Sequence, residues 1–123
     1  NKNNYNIDVI IPMPLHRVKL ITRGFNQSIC FAKFLSKQLN IKLGLNIIKK
    51  IKNTNSQARL NAQKRKQNLV GSFKVDIKKL KNAKRVLIVD DVMTTGSSAH
   101  VLARSLKQAG VKWVGVFVLL RAI

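Results

Sequence analysis

One stretch restricts the possible folds of this chain more than any other: Val86-Leu87-Ile88-Val89-Asp90-Asp91-Val92-Met93-Thr94-Thr95-Gly96-Ser97-Ser98. A strand half in water alternates apolar and polar residues. Four apolar residues in succession, Val86 to Val89, read instead as a strand covered on both faces, as in a parallel sheet. Two acids end that run. A short loop of small and hydroxyl side chains follows. Beyond it Ala99, Leu102, Ala103, Leu106 and Ala109 recur at helical spacing up to Gly110, which suits a helix C-terminus. The order strand, acid pair, loop, helix places the loop at the carboxyl ends of the strands, where open α/β sheets bind ligands.

The residue types in that loop define what it can hold. Backbone N–H groups from Met93 to Ser98, joined by the hydroxyls of Thr94, Thr95, Ser97 and Ser98, form a cradle for phosphate. Gly96 lets the backbone approach closely. When ionised, Asp90 and Asp91 only accept hydrogen bonds, so they suit ligand hydroxyls and not phosphate. Phosphate donors beside a hydroxyl-accepting pair match a ribose 5-phosphate. The competing reading is a plain strand-to-helix turn in which Thr, Ser and Asp act as helix caps.

Charge narrows the partner. There are 24 basic residues against four acids, Asp8, Asp76, Asp90 and Asp91, for a formal net charge of +20. Codon bias toward Lys and Asn would enrich glutamate too, and the chain has none. A depletion of acids this strong points to a polyanionic partner, nucleic acid first and anionic membrane second. The seven aromatic residues form no evident stacking platform for RNA. Cys30 is alone, so no disulfide and no four-cysteine zinc site is expected in this chain, nor any other metal ligand set. Among Ile29, Phe31 and Ala32, Cys30 reads as a small buried apolar residue. No apolar run approaches the ~20 residues that span a bilayer, no secretory signal is read, and a cytoplasmic location is expected.

Around the central stretch, residues 7–11 read as a short strand closed by Pro12-Met13-Pro14, since proline lacks a ladder donor. A basic loop runs from Leu15 to Gly24. Residues 25–39 read as a helix with the apolar stripe Phe25, Ile29, Ala32, Leu35 and Leu39. Residues 45–51 read as a second strand, with Gly44 marking the turn before it, and residues 73–75 as a third. Residues 77–84 form a lysine-rich excursion anchored by Ile77 and Leu80, and residues 111–120 the last strand, with Trp113 near its start. Residues 52–70 read as a loop and then a strongly basic helix without an apolar face. Alternating strands and helices predict an α/β fold with a mainly parallel central sheet flanked by helices on both faces.

The acid pair with its loop resembles the phosphoribosyl-pyrophosphate (PRPP) motif of type I phosphoribosyltransferases. That resemblance implies that Asp90 and Asp91 hold the ribose 2′ and 3′ hydroxyls, and that Met93, Thr94, Thr95, Gly96, Ser97 and Ser98 hold the 5′-phosphate. It also implies that the loop after the first core strand, Met13, Pro14, Leu15 and His16, meets the pyrophosphate, and that residues 52–70 close over the site. Mg²⁺ would arrive with the pyrophosphate. More narrowly, Pro12-Met13-Pro14-Leu15-His16-Arg17, Arg23-Gly24-Phe25-Asn26-Gln27, Gln57 with Arg65, Asn68 and Phe73, and the acid-pair string are similar to the ComF family of competence proteins, also called GntX-like. The resemblance runs from Ile7 to Arg121.

It implies one phosphoribosyltransferase-like domain over residues 1–123, from which the four-cysteine zinc module that many relatives carry before it is missing. The function it implies is DNA uptake during natural transformation, with PRPP or a ribose 5-phosphate as ligand and single-stranded DNA as partner. Other competence proteins are further candidate partners. Arg17, Lys19, Arg23, Arg59, Lys64, Arg65 and Lys66 are the expected DNA or lid residues. The alternative is an active phosphoribosyltransferase of nucleotide salvage or synthesis that displaces pyrophosphate from PRPP. A third, weaker reading is an RNA-binding regulator of the same fold. No residue stands out as a catalytic base.

Overall fold

The computed structural model describes residues 6–15, 26–51, 71–93 and 96–121, with the backbone alone described at Met93, Ser97 and Arg121. In chain order its elements are β1 (Val9–Pro12), α1 (Gln27–Leu39), β2 (Ile48–Lys50), β3 (Phe73–Val75), α2 (Ile77–Leu80), β4 (Arg85–Met93), α3 (Ser97–Gln108) and β5 (Trp113–Arg121).

The apolar run of β4 lies where its composition demands, in the middle of a parallel sheet ordered β1-β4-β5. Val86, Ile88 and Val89 are fully buried. Side chains alternate along a strand, and here the alternation divides the core in two. Val86 and Ile88, with Val9 and Ile11 of β1, pack in one cluster with Leu102 and Leu106 of α3. Val89 and Ile10 pack in the other with Ala32 of α1. Helices therefore cover both faces of β1 and β4, as expected, while Val116, Phe117, Leu119 and Leu120 of β5 stay exposed. Each buried Leu, Ile or Val contributes about 1.5–3 kcal/mol.

Several expectations change. β1 does end within Pro12-Met13-Pro14, but Pro12 itself is its last residue, paired with Val89. The hydrogen bonds explain this. Ile10 N–H donates to Lys42 O at 2.8 Å, away from β4, whereas Met13 N–H donates to Val89 O at 2.7 Å. By alternation the donor that Pro12 lacks would face away from β4, so that ladder loses nothing. The strand expected over 45–51 shortens to β2, which pairs antiparallel with β3 in a separate two-stranded sheet.

Of the two expected anchors at 77–84, Leu80 is buried and Ile77 is 64% exposed. Cys30 is exposed, not buried. Ser28 and Ala32 define the covered side of α1. At about 100° per residue, Cys30 falls on the opposite side, so its sequence neighbours are not its neighbours in space. Gly44 does more than mark a turn. Its N–H donates to Ile10 O at 2.8 Å, and a Cβ there would lie 2.7 Å from Val9 Cγ2. The basic loop from His16 to Phe25 and the expected lid over 52–70 lie outside the described residues.

Candidate functional site

β4 carries Asp90 and Asp91 out of the core at its carboxyl end, Asp90 in register with Val118 of β5. Asp91 Oδ1 accepts the N–H of Val92 at 2.9 Å. Burial pushes the Asp90 carboxyl up from its ordinary 3.8 to about 6, and a hydrogen bond and like charge from Asp91 add to the rise. The Asp91 backbone and the Lys50 ammonium pull the other way. Two half-buried acids side by side stabilise neither other's charge. Carboxylates so placed can accept ligand hydroxyls.

The end of α3 sets this strand-to-helix turn apart. Asn26 caps α1 by accepting the N–H of Ser28 at 2.9 Å. Asp76 caps α2 by accepting the N–H of Lys79 at 3.2 Å. At α3 the cap position is Gly96, with φ 78°, and among the described residues no side chain bonds the first turn. The side chains of Thr94, Thr95 and Ser97, which the capping reading would use, lie outside the described residues. The first turn of a helix presents N–H groups without intrahelical partners, and the helix dipole favours an anion there. Gly96 and Ser98 are half-buried beside it. Thr94 and Thr95 lie outside the described residues, as do the side chains of Met93 and Ser97.

The loop after β1 stands nearby. Met13 is buried in the core, so its backbone is what it presents. Its carbonyl accepts the Asn26 side-chain amide at 3.1 Å. One asparagine thus caps α1 and ties that helix to the loop. Pro14 and Leu15 line a cleft of about 310 Å³ with Pro12, Asn26, Ile48 and Lys50. His16, Arg17, Lys19, Arg23, Arg59, Lys64, Arg65 and Lys66 lie outside the described residues.

Lys50 is the residue that sequence reading missed. It lines this cleft and also acts on Asp90, joining the two halves of the site. The only sequence signal was its place after Ile48 in an alternating strand, and that signal does not reveal which sheet the strand joins.

The phosphoribosyl transferase domain family matches residues 26–123. The chain belongs to that family. Within the phosphoribosyl transferases it is 38% identical over 116 residues to competence protein F of Haemophilus influenzae, covering 94% of this chain and 51% of that protein. It is 33% identical over 116 residues to the DNA utilization protein YhgH of Escherichia coli K12, and equally to that of Salmonella typhi, covering 94% of this chain and 50% of each. The ComF-like resemblance is therefore shown, and the chain spans about half the length of the curated relatives it matches. No helix among the described residues is long and apolar enough to cross a membrane.

Proposed function

We propose that this chain binds PRPP or a related ribose 5-phosphate at Asp90 to Ser98, and single-stranded DNA on its basic surface, as a cytoplasmic component of DNA uptake and use. One observation carries the ligand reading: an acid pair at the carboxyl end of the central parallel strand, followed by a helix that starts on Gly96 without a side-chain cap. Asp90 and Asp91 accept the ribose hydroxyls, and the first turn of α3 receives the 5′-phosphate. The names of the relatives, competence protein and DNA utilization protein, support the DNA part.

Mg²⁺ suits this donor set. It keeps several waters and takes one or two carboxylates together with substrate phosphates, so Asp90 and Asp91 are the residues that would meet it. Bound, it would neutralise the pyrophosphate charge. Transfer of the ribosyl group is the second reading, and the absence of glutamate from the whole chain leaves few candidates for a base acting on an acceptor.

Calorimetry with PRPP and Mg²⁺ tests the ligand reading. Hydrogen bonds to charged groups contribute about 1.5–3 kcal/mol each, so Asp90→Ala with Asp91→Ala is expected to weaken binding roughly a hundredfold or more. Unchanged affinity in a folded double variant would place the site elsewhere.

A further inference from the structure

Three clefts follow one another across the molecule. The first, beside Asp90 through Lys50, is also lined by Asn46 and Lys49. Those two residues line a second cleft of about 380 Å³, with Lys74, Ile77, Lys78 and Lys79. Lys79 and Ile47 then belong to a third of about 320 Å³, with Lys42, Lys81, Lys84 and Asp8. The shared residues make these clefts neighbours, and together they outline a groove. It starts at Lys50, which acts on Asp90, turns round β2, where Lys49 and Lys50 project on opposite faces, and reaches the amino ends of β1 and β4.

This groove sets like charges against each other twice. Lys49 and Lys74 are direct partners in the antiparallel register of β2 and β3. Residues so placed project on the same face with Cβ atoms about 4.5–5.5 Å apart, and like charges there are destabilising. Lys42 and Lys81 form the second pair: the Lys81 charge, first among the causes, holds the Lys42 ammonium below its ordinary range.

Two acids, Asp76 and Asp8, share the groove with seven lysines, Lys42, Lys49, Lys74, Lys78, Lys79, Lys81 and Lys84, and leave it strongly positive. Asp76 accepts the N–H of Lys79 as the cap of α2. Asp8 Oδ2 accepts the N–H groups of Lys84 at 2.8 Å and Arg85 at 2.9 Å. The chain's other two acids are the site pair. Lysines arranged in this way are relieved when anions lie between them, and a succession of such places along one groove fits a repeating anion. A concave path fits a strand better than a flat membrane surface, and Ile77, exposed within it, offers apolar contact to a sugar or base.

We propose that this lysine groove is a track for a single-stranded nucleic-acid backbone, leading from the amino ends of β1 and β4 to the ribose-phosphate site. The proposal rests on the DNA reading above and assigns it a surface. It differs from the expectation that Arg17, Lys19, Arg23, Arg59, Lys64, Arg65 and Lys66 carry the DNA.

The test is fluorescence anisotropy of the intact protein with a labelled oligothymidylate of about 16 nucleotides across a salt series. Lys49→Gln, Lys74→Gln and Lys81→Gln are combined in one variant. Lys33→Gln, Lys37→Gln and Lys107→Gln, exposed on α1 and α3, form the control. Three lost contacts at about 0.7 each flatten the log–log salt slope by about 2, which is about a hundredfold loss at 0.1 M salt if affinities meet at 1 M. The control is expected to keep the wild-type slope. Because the groove variant loses like-charge pairs, its Tm is expected at or above wild type, which separates lost contacts from unfolding.

Equal losses in both variants would overturn the track and leave a diffuse field. No oligonucleotide binding by wild type would overturn both the track and the DNA reading beneath it. Phosphatidylglycerol vesicles released by the groove variant, with oligonucleotide binding unchanged, would overturn it in favour of a membrane.

Discussion

Asp8 and Asp76 accept backbone N–H groups at the starts of β4 and α2, and both stay within the fold. Asp90 has a different character, because its surroundings oppose the charge that a ligand requires. The Asp90 carboxyl sits at about 6 against an ordinary 3.8. The native state therefore keeps a proton that the unfolded chain releases at lower pH. The stabilising contribution of that proton is complete below 3.8, declines as pH rises toward about 6, and is absent above it. Asp90→Asn removes this dependence. Its Tm is expected to exceed that of wild type by more at about pH 7.5 than at about pH 4.5. Thermal melts across that range check the point, and a constant difference between the two proteins would mean that Asp90 is not held in an acid-pair environment.

At the scale of elements, β4 and α3 were legible because each has a strong period and an unambiguous end. The acid pair and Gly96 were legible for the same reason, since they interrupt those periods. β2 was overextended because three residues, Ile48, Lys49 and Lys50, carry too little pattern to distinguish a hairpin from a core strand. Its partner β3 follows more than 20 residues later, and local periodicity cannot register a pairing across that distance. Lys50 was missed with it. Cys30 was misplaced because sequence adjacency was read where helix phase decides. Gly44 was read as a turn, but its role is close approach: an added Cβ would meet Ile47 Cδ1 at 2.5 Å and Val9 Cγ2 at 2.7 Å. Ile47 can turn its terminal methyl aside, whereas buried Val9 is β-branched and stiff. Gly44→Ala is expected to lower stability by about 1–3 kcal/mol in urea unfolding, the usual cost of overpacking. A change within about 0.5 kcal/mol would show that the contact relaxes freely.

At the scale of the whole molecule, the net charge of +20 opposes the compact state through self-repulsion. The opposed lysines of the groove concentrate that repulsion on one side. Their side chains are exposed, apart from the half-buried Lys50 beside the site, so salt reaches them. The Debye length shrinks from about 10 Å at 0.1 M to about 3 Å at 1 M, which is shorter than the separation of opposed strand residues. Salt should therefore act on this protein in two opposite directions. It removes repulsion from the free protein, so Tm rises between about 0.1 M and 1 M sodium chloride. It also displaces the polyanion, so oligonucleotide affinity falls over the same range. The combined Lys49→Gln, Lys74→Gln and Lys81→Gln variant starts with less repulsion, and its Tm is expected to rise less with salt than that of wild type. Parallel salt series of melting temperature and anisotropy on both proteins measure the two effects together. If wild type and variant gained the same Tm, the groove would hold no special share of the repulsion, and the lysines opposite one another would be ordinary surface charges.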